Sequence, residues 1–250
     1  MTRRTVGILG GMGPLATADL YQKIIRHTAA NRDQDHLPVL IYADPSVPDR
    51  TEALLSGGED PTPWLVRGAR QLETSGASFI VMPCNTAHAF LESMRAAVEI
   101  PIIDMIDEAA REVRSLVTAD SQVGILATSG TVAAGLYQAA LDRSGLRSAV
   151  PDEDGQRLVM ETIALVKSGT VDDETVNPVQ TAARDLERAG AKALLAACTE
   201  LPVVLRQGHV TVPLIDPTEV LARAAIRAAT DDAVFARLRS DPEKVHHHVS

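Results

Sequence analysis

The sequence predicts an α/β fold built as two pseudo-symmetric halves, each a parallel sheet flanked by helices. Three observations carry that reading. Short apolar runs alternate with helically spaced segments along the chain. The runs are apolar on both faces, as strands buried inside a parallel sheet must be. The pattern also occurs twice in the same order: VGILGG (6–11) matches VGILAT (123–128), FIVMPCNTA (79–87) matches ALLAACTEL (193–201), and EIPIIDM (99–105) matches TVPLIDP (211–217). The offsets agree, with 77 positions from Gly7 to Cys84 and 74 from Gly124 to Cys198.

Taken in order, TVGILGG (5–11) reads as a strand ending in a glycine loop, and 15–30 as a helix with Leu15, Leu20, Ile24 and Ile25 at helical spacing. VLIYAD (39–44) is a strand. Residues 64–75 form a helix stopped by Gly76, FIVMP (79–83) a strand, 87–98 a helix, PIID (101–104) a strand and 106–117 a helix. The second half repeats the scheme: strand 122–127, a helix near 131–143, strand 148–150, helices 155–168 and 172–189 closed by glycines, and strands 192–197 and 212–216. The expected domains are 1–117 and 118–216. A last helix, about 217–230, is expected to pack back on the first domain, and 231–250 to form a polar tail whose HHH at 246–248 is disordered.

Composition narrows the function classes. The 250 residues are 45% hydrophobic and 23% charged, with a net charge of −9. That balance, with no basic stripe and only three Tyr, three Phe and one Trp, argues against nucleic acid as a partner. No window is long and apolar enough to cross a membrane. The apolar run after Arg3 and Arg4 is short and broken by glycine, so it reads as a first strand rather than an export signal. A cytoplasmic location follows, in which a disulfide between the two cysteines is not expected.

Those cysteines, Cys84 and Cys198, are the chemical core of the reading. Each falls just past a strand, where parallel α/β sheets keep their sites, and at a helix start, where unpaired amides favour thiolate. A lone cysteine is more often a small buried hydrophobe. Two at matched positions of a repeat, followed by Asn85-Thr86 and Thr199-Glu200, suit one base and one acid on opposite sides of a substrate carbon. Two cysteines without further ligand spacing do not make a metal site. GGMGP lacks the full dinucleotide fingerprint. His88, one turn past Cys84, reads as a helix residue rather than part of the chemistry, and Asp104 and Asp216 as capping residues.

GGMGPLAT (10–17), PDRT (48–51), PCNTAH (83–88) and ACTELP (197–202) resemble the aspartate/glutamate racemase superfamily, in particular its aspartate racemase branch. The resemblance covers nearly the whole chain. It implies two α/β domains with the active site in the cleft between them, a homodimer, no pyridoxal phosphate or other cofactor, and Cys84 and Cys198 as the acid/base pair, Cys84 for the D-isomer and Cys198 for the L-isomer. It further implies that Arg50 and Lys167 hold the side-chain carboxylate of aspartate, with glutamate next, and that Thr51 belongs to the substrate site. Met12, Asn85 and Thr86 shape one end of the substrate site, and Thr128, Thr131, Thr199 and Glu200 the other. Three readings remain at this level: a cofactor-independent amino-acid racemase, for aspartate or with broader reach into neutral and basic amino acids; a lyase or isomerase of the same superfamily using one thiol; and a two-lobed binding module.

Overall fold

A computed structural model describes residues 3–169 and 171–240. In chain order the elements are β1 (Val6–Gly10), α1 (Pro14–His27), β2 (Val39–Ala43), α2 (Arg50–Leu55), α3 (Thr62–Thr74), β3 (Phe79–Val81), α4 (Leu91–Arg95), α5 (Met105–Leu116), β4 (Gln122–Ala127), α6 (Ser129–Ala133), α7 (Leu136–Arg143), β5 (Arg147–Ala149), α8 (Glu153–Lys167), α9 (Asp173–Arg188), β6 (Ala193–Ala197), α10 (Leu201–Val204), β7 (Leu214–Ile215), α11 (Pro217–Thr230) and α12 (Asp232–Arg239).

The chain divides into two compact units: Met1–Asp49, Glu59–Met105 and Leu221–Ser250 form the first, and Arg50–Gly58 with Ile106–Val220 the second. Each holds its own parallel sheet. In the first, β1 lies between β2 and β3, with Val6 opposite Val39 and Phe79. In the second, β4 lies between β5 and β6, and β7 pairs with β6. The central strands, VGILG and QVGILA, are almost wholly buried, because helices cover both faces of each sheet.

The first unit's core joins β1, α1 and β3 to α11, through Ile8, Leu20, Phe79, Leu221, Ala225 and Ala229. A second cluster on the other sheet face joins Leu9, Leu65 and Leu72 to Met82, Cys84 and Leu91. The second unit is built the same way, with Ile125, Tyr137, Leu195 and Ile215 in one cluster and Leu126, Ile163, Leu186, Leu194 and Cys198 in the other.

Several elements differ from expectation, each for a local reason. PIID (101–104) is not a strand but a single bridge, Ile80 to Ile102, made by the bonds from Ile80 N–H to Pro101 O and Ile103 N–H to Ile80 O. Pro101 has no N–H to extend the ladder, and α5 takes over the chain at Met105. The helix expected near 131–143 is broken into α6 and α7 at Gly135, whose φ of 66° lies in the left-handed region. The helix expected over 87–98 is a 3₁₀ turn, Thr86–Phe90, followed by the short α4. Residues 232–239 are not tail but helix α12, capped by Asp231, with Val234, Phe235 and Leu238 packed on the first unit's core. The chain passes to the second unit after Met105 rather than near residue 117, and α2 belongs with the second unit. His246–His248 lie outside the described residues.

Candidate active site

The first unit carries four of the expected residues on two loops, one after β1 and one after β3. Gly11, with φ of 99°, bends the chain after β1, and its N–H donates to Thr17 Oγ1 at 2.9 Å. A Cβ on Gly11 would stand 2.4 Å from the backbone of Asp44. This tight loop delivers Met12 into the same buried cluster as Cys84. Cys84 follows β3 and Pro83. Its N–H donates across Pro83 to Met82 O at 2.9 Å. Asn85 and Thr86 are buried beside it.

His88 is the residue the sequence reading undervalued. Its side chain is buried. Nδ1 lies 2.8 Å from Cys84 O, and the backbone N–H of Met105 donates to Nε2 at 3.2 Å. Since Nε2 accepts, Nδ1 carries the proton and donates to the Cys84 carbonyl, which fixes a neutral imidazole. An α-helix would instead have used the His88 N–H for that carbonyl. Here it donates to Asn85 O at 3.0 Å, a 3₁₀ bond. The imidazole thus takes the place of a backbone donor at the Cys84 carbonyl.

The second unit gathers the remaining residues. Thr128 caps α6. Its Oγ1 accepts from Thr131 N–H at 3.2 Å and lies 3.0 Å from Thr131 Oγ1. Arg50 and Thr51 open α2, which packs on α6 so closely that a Cβ on Gly130 would stand 2.8 Å from Thr51 Oγ1. Arg50 and Thr51 thus belong to this unit, while Pro48 and Asp49 before them belong to the first. Gln156, which the sequence reading did not single out, donates from Nε2 to Ala127 O at 3.0 Å and Ser129 Oγ at 3.3 Å, holding the β4–α6 loop.

Cys198 follows β6. Its carbonyl accepts from Leu201 N–H at 3.0 Å, an ordinary turn bond. Its Sγ–H donates to Glu200 Oε2 at 2.9 Å, and Thr199 Oγ1 donates to the same oxygen at 3.1 Å. Burial pushes the Cys198 thiol well up. The Glu200 carboxylate adds to this by repulsion and by accepting the thiol's hydrogen bond, while the Lys167 ammonium pulls the other way. The expectation that a helix start lowers both thiols is therefore corrected for Cys198: α10 is a single turn, and desolvation with a neighbouring carboxylate outweighs it. Lys167 is exposed at the end of α8.

The structure thus splits the expected residues into two sets. Met12, Cys84, Asn85 and Thr86 belong to the first unit, and Arg50, Thr51, Thr128, Thr131, Lys167, Cys198, Thr199 and Glu200 to the second. Asp216 caps α11, accepting from Thr218 N–H at 2.9 Å, and Asp104 lies 3.8 Å from Arg95. No described helix is long and apolar enough to cross a membrane.

Comparison with known proteins bears on all of this. A family model described as Asp/Glu/hydantoin racemase matches residues 9–225. An aspartate racemase of Picrophilus torridus superposes with a TM-score of 0.74 at 34% identity, over 90% of this chain and 94% of that one. The broad specificity amino-acid racemase RacX of Bacillus subtilis is 28% identical over 88% of this chain and 96% of its own length. A glutamate racemase of Desulforudis audaxviator is 30% identical over 90% of this chain and 79% of its own.

Proposed function

Because the chain belongs to the Asp/Glu/hydantoin racemase family and is an amino-acid racemase, we propose that it interconverts L- and D-aspartate, with glutamate second, by a two-base exchange that uses no pyridoxal phosphate. One observation carries the reading. Each unit ends the strand beside its central strand on a buried free thiol, Cys84 after β3 and Cys198 after β6. Racemisation needs this kind of duplication, since the proton leaves one face of Cα and arrives on the other.

In the proposed cycle a thiolate takes the α-hydrogen as a proton, leaving the electron pair on Cα. The opposite thiol then delivers its proton to the other face, so the two sulfurs exchange states in one turnover. Cys198 rests as the donor, its proton held by burial and by Glu200. With Cys84 as the base this resting state serves D- to L-conversion. The reverse direction starts from the state this turnover leaves, Cys198 thiolate and Cys84 thiol; reached from rest, Glu200 accepts the Cys198 proton and the Cys84 thiolate takes one from water. The carbanion is stabilised by N–H and hydroxyl donors of the loops, with Thr128 and Thr131 at the α-carboxylate and ammonium, Thr199 beside them, and Met12, Asn85 and Thr86 shaping the remainder.

Aspartate is favoured over neutral substrates because Arg50 and Lys167 supply cations for a second carboxylate, Arg50 through two parallel hydrogen bonds and next to Thr51. The test is incubation with L-aspartate, without added pyridoxal phosphate, followed by optical rotation. A flat trace with aspartate, glutamate and a panel of neutral and basic amino acids rejects the racemase reading. Activity on the neutral and basic members alone favours the broad-specificity alternative, which the likeness to RacX supports. The same reading includes a cytoplasmic homodimer. Tyr21 and Ile25 on α1 and Ile41 on the edge strand β2 are exposed apolar side chains of the first unit, and a monomer by sedimentation would remove that part.

A further inference from the structure

We propose that His88 is a positioning residue for Cys84: its neutral imidazole bolts the Cys84 carbonyl to the backbone N–H of Met105 and so fixes the direction of the thiol. The inference rests on the two-thiol reading above but adds a residue that reading does not require. The geometry behind it is local to the first unit. Both peptide groups of Cys84 are engaged, the N–H by Met82 O at 2.9 Å and the carbonyl by His88 Nδ1 at 2.8 Å. The far nitrogen of the same ring accepts from Met105 N–H at 3.2 Å, at the first residue of α5. His88 is only 5% exposed, and Cys84, Asn85, Thr86 and Met105 are buried as well.

The second half shows that the fold does not need this device. Four residues after Cys198 stands Pro202, which has no side-chain donor, and the Cys198 carbonyl is satisfied by the Leu201 N–H instead. A cysteine turn of this topology therefore closes with backbone alone. In the first half the backbone bond is given up and a side chain spanning two segments takes its place. Such a tie restricts where Sγ points, and a base displaced by an ångström from its proton loses much of its rate.

Two near-isosteric replacements separate the two bonds. In His88→Asn the amide nitrogen overlays Nδ1 and keeps the bond to Cys84 O, while the bond to Met105 is lost. In His88→Gln the amide oxygen overlays Nε2 and keeps the Met105 bond, while the Cys84 bond is lost. His88→Leu removes both. The readouts are kcat and KM for each aspartate enantiomer, and the rate at which iodoacetamide labels Cys84 against Cys198 in the same sample, resolved by peptide mass spectrometry.

The expected result is a kcat about 10- to 100-fold lower in His88→Gln and His88→Leu with KM little changed. Cys84 labels faster in both, and Cys198 labels as in the wild type. His88→Asn recovers most of the rate. Wild-type kcat in His88→Leu overturns the proposal. So does equal impairment of the Asn and Gln variants, or labelling of both cysteines rising together, since that marks general loosening. If His88→Leu does not fold, the Asn and Gln pair decides. If the wild-type protein racemises nothing, the racemase reading fails, and the labelling ratio still decides whether His88 positions Cys84.

Discussion

Cys84 and Cys198 occupy the same place in two copies of one strand–turn–helix unit, and the surroundings of the two sulfurs differ. The Cys84 turn is held through its backbone, with a proline before it, a side-chain bond on its carbonyl and an apolar cluster around it. The Cys198 turn closes with ordinary backbone bonds, and its neighbours act on the sulfur itself: Glu200 takes its hydrogen bond and Lys167 supplies an opposing charge. One copy fixes where the thiol is, and the other fixes whether it holds its proton. Two acid/base groups that must trade roles on nearly mirror-related substrates need not be chemically identical. They need only deliver a proton at the same free energy, and position and charge are two separate routes to that.

The sharpest way to break the comparison is to remove each sulfur. Cys84→Ala and Cys198→Ala should each lower racemisation in both directions by about 10²- to 10⁴-fold, the usual worth of a positioned acid or base. Exchange of the α-hydrogen with deuterated solvent should survive on one enantiomer only, and on opposite enantiomers in the two variants. Full racemisation in either would end the two-base scheme.

Glu200→Gln should come next in size, with effects of opposite sign. It removes the repulsion and the charged acceptor that keep Cys198 protonated, so the thiol falls and thiolate forms at lower pH. Alkylation of Cys198 near pH 8 should then be faster than in the wild type, since the thiolate is the species that reacts. Conversion of L- to D-aspartate should nevertheless slow, because the group that receives the Cys198 proton is gone. In the wild type, Cys198 should still hold its proton at about pH 8.5, where an ordinary thiol is half ionised. If alkylation of Cys198 slows in Glu200→Gln, Glu200 is not what holds the proton.

Lys167→Met should have the smallest effect on the Cys198 thiol. Lys167 is exposed and screened, so its loss should slow Cys198 alkylation by no more than about fivefold at low salt and by less at high salt. The KM for aspartate should rise by more than that, because Lys167 is proposed to hold the substrate's side-chain carboxylate; an unchanged KM removes it from that role.

The duplicated fold was readable because its signals are strong and local. The central strands are uniformly apolar, and VGILGG and VGILAT both carry a glycine that packs against the neighbouring layer. The cysteines were readable because a repeat turns two isolated residues into a matched pair. His88 was not, since a histidine four places after a cysteine looks the same on a helix face as on a ring that has captured the carbonyl of that cysteine. The one available signal was Pro202 at the corresponding place in the other copy. The proton-holding role of Glu200 was hidden in a similar way. Helix starts lower thiols in general, and only the structure shows that α10 is one turn long and that Cys198 is buried against a carboxylate. Helix α12 was missed because its apolar face, Val234, Phe235 and Leu238, is short and set among charges.

The way the chain is threaded has a consequence for synthesis. The unit that holds Cys84 begins at the N-terminus, yet its core includes Leu221, Ala225 and Ala229, and Arg4 near the start of the chain pairs with Asp232 and lies 4.3 Å from the ring centre of Phe235. On a ribosome that half must wait, with part of its apolar surface uncovered, while roughly 120 intervening residues are added at about 5–20 per second, a delay on the order of ten seconds. The half that holds Cys198 is complete before that wait ends. The first half to be started is thus the last to be completed, and the sheet face left open while the chain is being made is the one away from Cys84, whose own cluster draws only on residues 9–102.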